Sequence, residues 1–268
     1  MIFLVVATLL LGASVASADE VWQGDRIVSE PLTISRQTLR VAPGSRIAFK
    51  GEGRLTVEDG DFIAERAIFE ARTTLTNHFR INVQNGKLTL SHCTFRGLKT
   101  ETPDKRSFVF GFLRCQFGEG SRITDNTFVN CGALMMLSSS HVEWMRNLIV
   151  RGENAFATLD CTNCRMEGNE FFDTVYGLNL NKARFFEVFQ NRFTDCQTGL
   201  FLYHCRESRL FGNAFFGCKD GMELRGEESD NAFVGNRFEN TGAPFSLRGG
   251  FSVERNVFRD NDGCGDGK

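Results

Sequence analysis

Tryptophan and tyrosine are nearly absent: two of each stand against 27 phenylalanines. Glycan grooves ordinarily display aromatic rings that carry a polar edge, so this scarcity argues against a long aromatic-lined sugar groove. No block of basic residues occurs, and 31 lysines and arginines nearly balance 33 aspartates and glutamates. That excludes the charge footprint of a nucleic-acid-binding surface. Charge is missing altogether from residues 1–18, where an apolar run from Ile2 to about Gly12 leads into Ala-Ser-Val-Ala-Ser-Ala. The run is short for a membrane span, and its small-x-small ending before Asp19 reads as a secretory signal cleaved after Ala18. No cysteine follows Leu11 and Gly12, so a lipoprotein anchor has no support. The expectation is a secreted or periplasmic chain with no stable membrane span after cleavage.

What the chain has is a period. Asn126, Asn147, Asn169, Asn191, Asn213, Asn236 and Asn256 follow one another at steps of 21, 22, 22, 22, 23 and 20 residues. Six of these seven open an Asn-x-Phe triplet, ending at Phe128, Phe171, Phe193, Phe215, Phe238 and Phe258; Ile149 takes the place in the other. Such a period marks a solenoid, in which each repeat buries its apolar face against its neighbours. Leucine-rich repeats and parallel β-helices both use asparagine in this way, because a side-chain amide donates and accepts at once. A leucine-rich repeat would continue into a helix or short turn. Here each repeat continues into a second alternating segment, such as Gly177-Leu178-Asn179-Leu180 or Gly199-Leu200-Phe201-Leu202. Alternation at period two is the strand signature. The fold expected is therefore all-β: a single-stranded right-handed parallel β-helix of about 22 residues per coil with an asparagine ladder, its hand following the general crossover preference.

Other columns agree. Ile123, Trp144, Met166, Val188, Leu210, Phe233 and Val253 stand three residues before the asparagines, and the mostly small Cys131, Gly152, Thr174, Cys196, Cys218, Thr241 and Asn261 stand three after the phenylalanine column. Gly177, Gly199 and Gly221 read as a bend that glycine's conformational freedom suits. Upstream, Cys93-Thr94-Phe95 occupies the triplet position, and the surplus before Asn126 falls on Lys99 to Arg106, a polar inserted loop. One domain is expected over residues 19–268. It comprises irregular coils and a cap over about 19–80, regular coils over about 81–261, and a short polar tail at 262–268.

The Asn-x-Phe and Gly-Leu-x-Leu repeats, with the opening Leu-Arg-Val-Ala-Pro-Gly-Ser-Arg-Ile-Ala-Phe from Leu39, resemble secreted right-handed parallel β-helix proteins. These form the broad pectate-lyase-like group with its carbohydrate-binding repeat domains, and the resemblance covers about Val21 to Asn261. It implies a fold, and it implies that any catalysis sits on outward residues of one sheet and its flanking loops. Aligned on the asparagines, Met135, Ala157, Asn179, Phe201, Glu223 and Ser246 form one outward column. Leu137, Leu159, Asn181, Tyr203, Arg225 and Arg248 form a second, and Asp160, Lys182 and His204 follow at the strand end.

Acid, amine and imidazole on adjacent rungs could orient a sugar and move a proton. His204, Glu223, Arg225, Asp160 and Lys182 are thus the catalytic candidates, and Asn179, Asn181, Phe201, Tyr203 and Arg248 the ligand-binding ones. Solvated surface charge accounts for the same residues without any function. The clustered aspartates of a pectate lyase calcium site, the Gly-His-Gly of a polygalacturonase and the Asp-Pro-His of an alginate epimerase are not found.

No metal site or cofactor is expected. Of four histidines, His78 and His92 lie in early coils and His141 begins a turn. Nine cysteines are read as mainly buried thiols. Cys196 and Cys218 lie close enough for a bond, but with parallel Cβ vectors that would strain it. Cys161 and Cys205 share a column two rungs apart, too far for one. The lone pair Cys161 and Cys164 is a turn with one thiol inward or a local disulfide, since structural zinc needs four ligands. Three functions remain open. The first is binding of an extended polysaccharide or cell-envelope glycan. The second is a polysaccharide lyase, hydrolase or epimerase, and the third a structural module pairing with a protein through its C-terminal edge. The oligomeric state is not legible.

Overall fold

A computed structural model describes residues 19–71, 75–76, 79–101, 111–227, 229–249 and 255–263. The chain winds as a right-handed parallel β-helix of about 10 turns. Three parallel sheets run its length. Sheet A has 11 strands from Glu20–Trp22 to Val257–Arg259, sheet B has 10 from Asp25–Val28 to Arg237–Glu239, and sheet C has 10 from Pro31–Ser35 to Ala243–Arg248. A two-stranded pair, Leu75–Thr76 with Thr100–Glu101, stands apart from them. Among the described residues no helix is long and apolar enough to cross a membrane.

Each coil carries three strands where alternation alone marks two. The segment around each asparagine is split into a strand of sheet A and a strand of sheet B, for instance Arg165–Glu167 and Glu170–Phe172. Asn169 is the corner between them. Strands of three residues end quickly because the corners adopt left-handed backbone, as at Arg146, Asp173, Gln190 and Asp195. Asparagine, aspartate and histidine tolerate that conformation better than most residues do, and the stacking of rungs compels it on the others.

The asparagine ladder forms as expected. The Asn169 side chain donates to Trp144 O at 2.8 Å and to Asn191 Oδ1 at 2.8 Å, while its own backbone N–H reaches the same Oδ1 at 3.0 Å. The pattern repeats from Asn126 to Asn236. Its last member differs from the expectation. Asn236 continues to Asn261, at 3.0 Å from both its backbone N–H and its amide. Asn256 instead joins a second ladder, where Ser208 N–H donates to Asn231 Oδ1 at 3.0 Å and Asn231 N–H to Asn256 Oδ1 at 3.1 Å. Phe258 accordingly pairs with Phe233 in sheet A and lies outside the Asn-x-Phe column. The last turn runs 25 residues between ladder members, so counting by a fixed step chose the wrong amide. Val253, placed in the column before Asn256, lies outside the described residues.

Phenylalanines fill the coil. Phe171, Phe193, Phe215 and Phe238 stack at 4.8 Å between centroids, near-parallel. Phe69, Phe95 and Phe128 continue the column upstream, with Ile149 in the gap. Where Ile149 interrupts, Trp144 bridges Phe128 and Phe156 at 5.4 and 4.4 Å. Burying each ring contributes roughly 1.5–3 kcal/mol before ring–ring contact is counted.

Two expectations about the backbone are corrected. Gly177 and Gly199 are strand residues without positive φ. A Cβ at Gly199 would meet the Phe215 ring at 2.6 Å, and one at Gly177 the Phe193 ring at 2.6 Å. Glycine is needed there for close approach of the next rung's aromatic ring, and conformational freedom plays no part. The N-terminal coils are also regular: strands from Glu20 onward already belong to all three sheets. Their corner lacks asparagine, and Ser45 takes its part by accepting from Gly24 N–H at 3.1 Å and donating to Trp22 O at 3.4 Å. The inserted loop from residue 102 to Arg106 and the segment 1–18 lie outside the described residues.

Candidate functional site

The register of sheet C reproduces both outward columns. Met135, Ala157, Asn179, Phe201, Glu223 and Ser246 are partners on successive rungs, as are Leu137, Leu159, Asn181, Tyr203, Arg225 and Arg248. The first column is nevertheless covered. Ala133, Met135, Leu137 and Ala157 form a satellite apolar cluster with Phe79 against it. Asn179, Phe201 and Glu223 are all buried. Tyr176, which the sequence reading did not select, packs edge-on to Phe201 at 5.7 Å. Burial first, and then the Glu223 carboxylate, raise its phenol above the ordinary value.

Polar groups in this covered layer satisfy one another. Asn181 donates its amide to Asn179 Oδ1 at 2.7 Å, and Asn179 donates to Asn154 Oδ1 at 3.4 Å. The Glu223 side chain is only 4% exposed, and its carboxylate lies 2.6 Å from Arg225 and 3.4 Å from Arg248. A buried carboxylate without such partners would be costly. Arg225 also lies over the Phe201 ring at 5.4 Å.

The accessible groups stand at the strand ends. Asp160, Lys182, His204 and Gly226 occupy one left-handed corner column, held by amide bonds from each rung to the next. That conformation recurs at corners throughout the chain, so it follows from winding and does not single out a site. His204 is pinned in place. Its ring lies over Gly226, where a Cβ would come within 2.9 Å of it; Glu227 N–H donates to its Nδ1 at 3.3 Å; and Tyr203 packs edge-on at 4.2 Å. With Nδ1 accepting, the neutral imidazole carries its proton on Nε2. Lys182 meets Asp160 only at 3.9 Å.

Two depressions adjoin along this corner and share His204. One, of about 610 Å³, is lined by Tyr203, His204, Arg225, Gly226, Glu227, Arg248 and Gly249. The other, of about 400 Å³, is lined by Asp160, Lys182, Arg184, His204 and Arg206. The structure thus brings together Asp160, Lys182, Tyr203, His204, Arg225 and Arg248 from the candidate set. It places Asn179, Phe201 and Glu223 under cover and leaves Asn181 at their margin. Arg184, Arg206, Gly226 and Glu227 were not foreseen. Arg184 and Arg206 were legible in principle, each two residues beyond a corner residue already selected.

The eight cysteines among the described residues are buried thiols outside any disulfide. Both Cys161 and Cys164 are buried, with Sγ at 3.3 Å from the Met136 and Thr162 carbonyls. Neither a local disulfide nor an outward thiol is present there. Burial pushes Cys93 and Cys161 up to about 11, and Cys115, Cys131 and Cys164 up to about 12. Cys196 is the exception. A hydrogen bond from Cys218 pulls it below the ordinary thiol value against its burial, helped by Thr174 Oγ1 at 3.2 Å, and the same bond holds Cys218 up.

Comparison with known proteins gives the lineage. Residues 76–263 match the family model described as periplasmic copper-binding protein (NosD). The chain belongs to the NosD family. Like other right-handed β-helices, this NosD-family chain has distant structural neighbours. A polygalacturonase from Erwinia carotovora ssp. carotovora is 8% identical, with 88% of this chain and 93% of that one covered at a TM-score of 0.61. The Dettilon tailspike protein is 10% identical over 91% and 62%, with a TM-score of 0.55. ORF18 of Geobacillus virus E2 is 14% identical over 89% and 53%, with a TM-score of 0.52. At these identities the likeness is one of fold. No curated protein matches the chain.

The family's description raises copper, and the donor set here does not fit it. Among the described residues no group of three or more His, Cys, Asp or Glu side chains is placed to hold a metal ion. The thiols are enclosed, and most donate to backbone carbonyls. Soft-metal binding needs thiolate, which burial opposes. Cys196 and Cys218 make a pair without a third such ligand, and both are buried. His204 spends Nδ1 on a backbone amide.

Proposed function

We propose that this NosD-family chain is an exported β-helix protein that binds an extended polysaccharide along the corner of sheet C and does no chemistry on it. The observation that carries the reading is the continuity of the two depressions: they share His204 and extend over successive rungs from Asp160 to Arg248. A trough that repeats its backbone every rung suits a ligand that repeats too. Tyr203, 39% exposed, supplies an accessible aromatic face with a polar edge, the kind a sugar ring packs against. The neighbours favour the same class, since a polygalacturonase by its name acts on a polysaccharide. The family's description as periplasmic favours export.

Binding is preferred to catalysis because Glu223, the best placed acid, is buried and engaged by two guanidinium groups. It is not available as a base, and Asp160 and His204 lie on non-adjacent rungs with Lys182 between them. The test is a glycan-array screen of the protein beside its Tyr203→Ala and His204→Ala variants. Retention of a polysaccharide by the parent, weakened at least fivefold in both variants, supports the reading. No retention of any glycan, or retention unchanged in both, refutes it. Appearance of unsaturated products or new reducing ends would transfer the site to the enzymatic alternative.

A further inference from the structure

We infer that the polysaccharide bound in this trough is acidic, and that two stacked arginine pairs, Arg184 with Arg206 and Arg225 with Arg248, receive its charged groups. The inference rests on the polysaccharide reading above and names its chemical class.

The sign pattern of the rungs carries it. Like charges directly opposite on neighbouring strands destabilise a sheet, and opposite charges stabilise it. Sheet A obeys this rule over five consecutive rungs: Arg122, Glu143, Arg165, Glu187 and Arg209 are successive partners of alternating sign. The chain therefore has a solution for stacked charge and uses it along sheet A. At the trough it departs from that solution twice. Arg184 and Arg206 are bridge partners on adjacent rungs, and so are Arg225 and Arg248. Lys182 lies two residues from Arg184 and lines the same depression. Cations thus stand on four consecutive rungs, about 14 Å along the axis at one strand spacing per rung, the first pair in the column past the corner and the second at the strand end before it.

Neighbouring carboxylates do not remove the repulsion. Arg184 meets Glu207 at 3.7 Å and Arg206 meets Glu227 at 3.5 Å, separations at or beyond the limit of a hydrogen bond between exposed groups. Such pairs contribute little in water. Arg225 and Arg248 share a single carboxylate, that of Glu223, which is buried beneath them. Counting Lys182 and the four arginines against Asp160, Glu207, Glu223 and Glu227 leaves five cations to four anions, one of the four covered. Two like pairs, incompletely compensated and opening on adjoining depressions, are what oxyanions arriving from solvent would relieve.

A planar guanidinium fork grips carboxylate or phosphate in a bidentate manner. A single small anion would satisfy one pair. The row over four rungs asks for anionic groups repeated along a chain, and the partly exposed Tyr203 ring beside it asks for a sugar. Carboxylated glycans and phosphate-bearing glycans share this chemistry.

The test is isothermal titration of the full protein with polygalacturonate, with a phosphate-bearing mannan and with a neutral glucan of similar length, in 20 mM and 200 mM salt. Polyglutamate serves as a polyanion without sugar. The variant is Arg184→Glu/Arg206→Glu; both residues are exposed, and circular dichroism verifies its fold. Arg248→Gln is the second, milder variant should the first misfold. The expected result is at least tenfold tighter binding of one acidic glycan than of the glucan in low salt, weakening at high salt. The double variant should lose at least tenfold on the acidic glycan alone, and Arg248→Gln about threefold. Which acidic polymer binds more tightly identifies carboxylate or phosphate as the source. Equal binding of acidic and neutral glycans, unchanged in the variants, overturns the arginine assignment and leaves the polysaccharide reading intact. Binding of polyglutamate as tight as that of the glycans also overturns it, since charge alone then suffices. Binding of no polymer overturns both.

Discussion

Removing one interior amide should cost far more than removing the last one. Asn191→Ala deletes an Oδ1 that accepts from Asn169 N–H and Asn169 Nδ2, both at 3.0 Å or less. It also deletes an Nδ2 that donates to Met166 O at 2.9 Å, Phe189 O at 3.1 Å and Asn213 Oδ1 at 3.0 Å. After the substitution Asn213 Oδ1 still accepts from the backbone N–H of residue 191, and Asn169 Nδ2 still has Trp144 O. The group newly orphaned in a dry corner is Asn169 N–H, while Met166 O, a ladder residue of sheet A, loses one of its donors. A buried unsatisfied group costs about 1–3 kcal/mol and each lost hydrogen bond about 0.5–1.5 kcal/mol, so a loss of about 2–5 kcal/mol is expected. Asn261→Ala removes the equivalent bonds to Asn236 and Phe233 O, but in a partly buried place that water can reach. Its cost should be about 0.5–1.5 kcal/mol. Urea unfolding followed by circular dichroism, with the slope checked for change, measures both. An Asn191→Ala loss below 1 kcal/mol, or one no larger than that of Asn261→Ala, would refute the claim that the ladder's amides are structurally required.

Three further outcomes are expected. Gly199→Ala should destabilise by about 1–3 kcal/mol through overpacking, because its Cβ would sit 2.6 Å from the Phe215 ring; Phe215→Leu in the same chain should relieve part of that loss, as thermal melts of the single and double variants would show. Stability should fall from about pH 9 upward, because burial raises the thiols of Cys93, Cys115, Cys131, Cys161 and Cys164 from 9.0 to about 11–12. A raised folded value means that the contribution is whole below the unfolded value and is lost as pH climbs through the folded one; melting temperatures that stay level from pH 8 to pH 11 would contradict it. Stability should also decline on acidification below about pH 4 through Asp125, whose carboxyl is held under its ordinary value first by hydrogen bonds from Arg146; Asp125→Asn should remove that part of the acid dependence in the same melts.

The fold was legible because a solenoid writes one decision many times. Asn126 to Asn236, the phenylalanine column and the sheet C alternation each repeat often enough to fix strand register without any knowledge of tertiary contacts. Legibility failed where a repeat was altered once. The longer final turn moved the ladder from Asn256 to Asn261, and a fixed count cannot sense an insertion. It failed again in the early coils, where Ser45 serves in place of asparagine and no recurring letter announces the corner. The outward columns of sheet C were read correctly as columns. That Asn179, Phe201 and Glu223 lie under cover was not readable, since covering depends on chain from other rungs. The stacking of Arg184 on Arg206 was not readable from the alternation, since both lie two residues beyond the corner residues Lys182 and His204 and outside the strands that the period marks.

The central claim is that a polysaccharide lies along the sheet C corner. A crystal structure of the protein soaked with the oligosaccharide that it retains most strongly tests this most directly. The account predicts sugar density running across rungs past Tyr203 and His204, with an acidic group within hydrogen-bond distance of Arg206 or Arg225. Density on the outer faces of sheet A or sheet B, with the trough holding water alone, would contradict it.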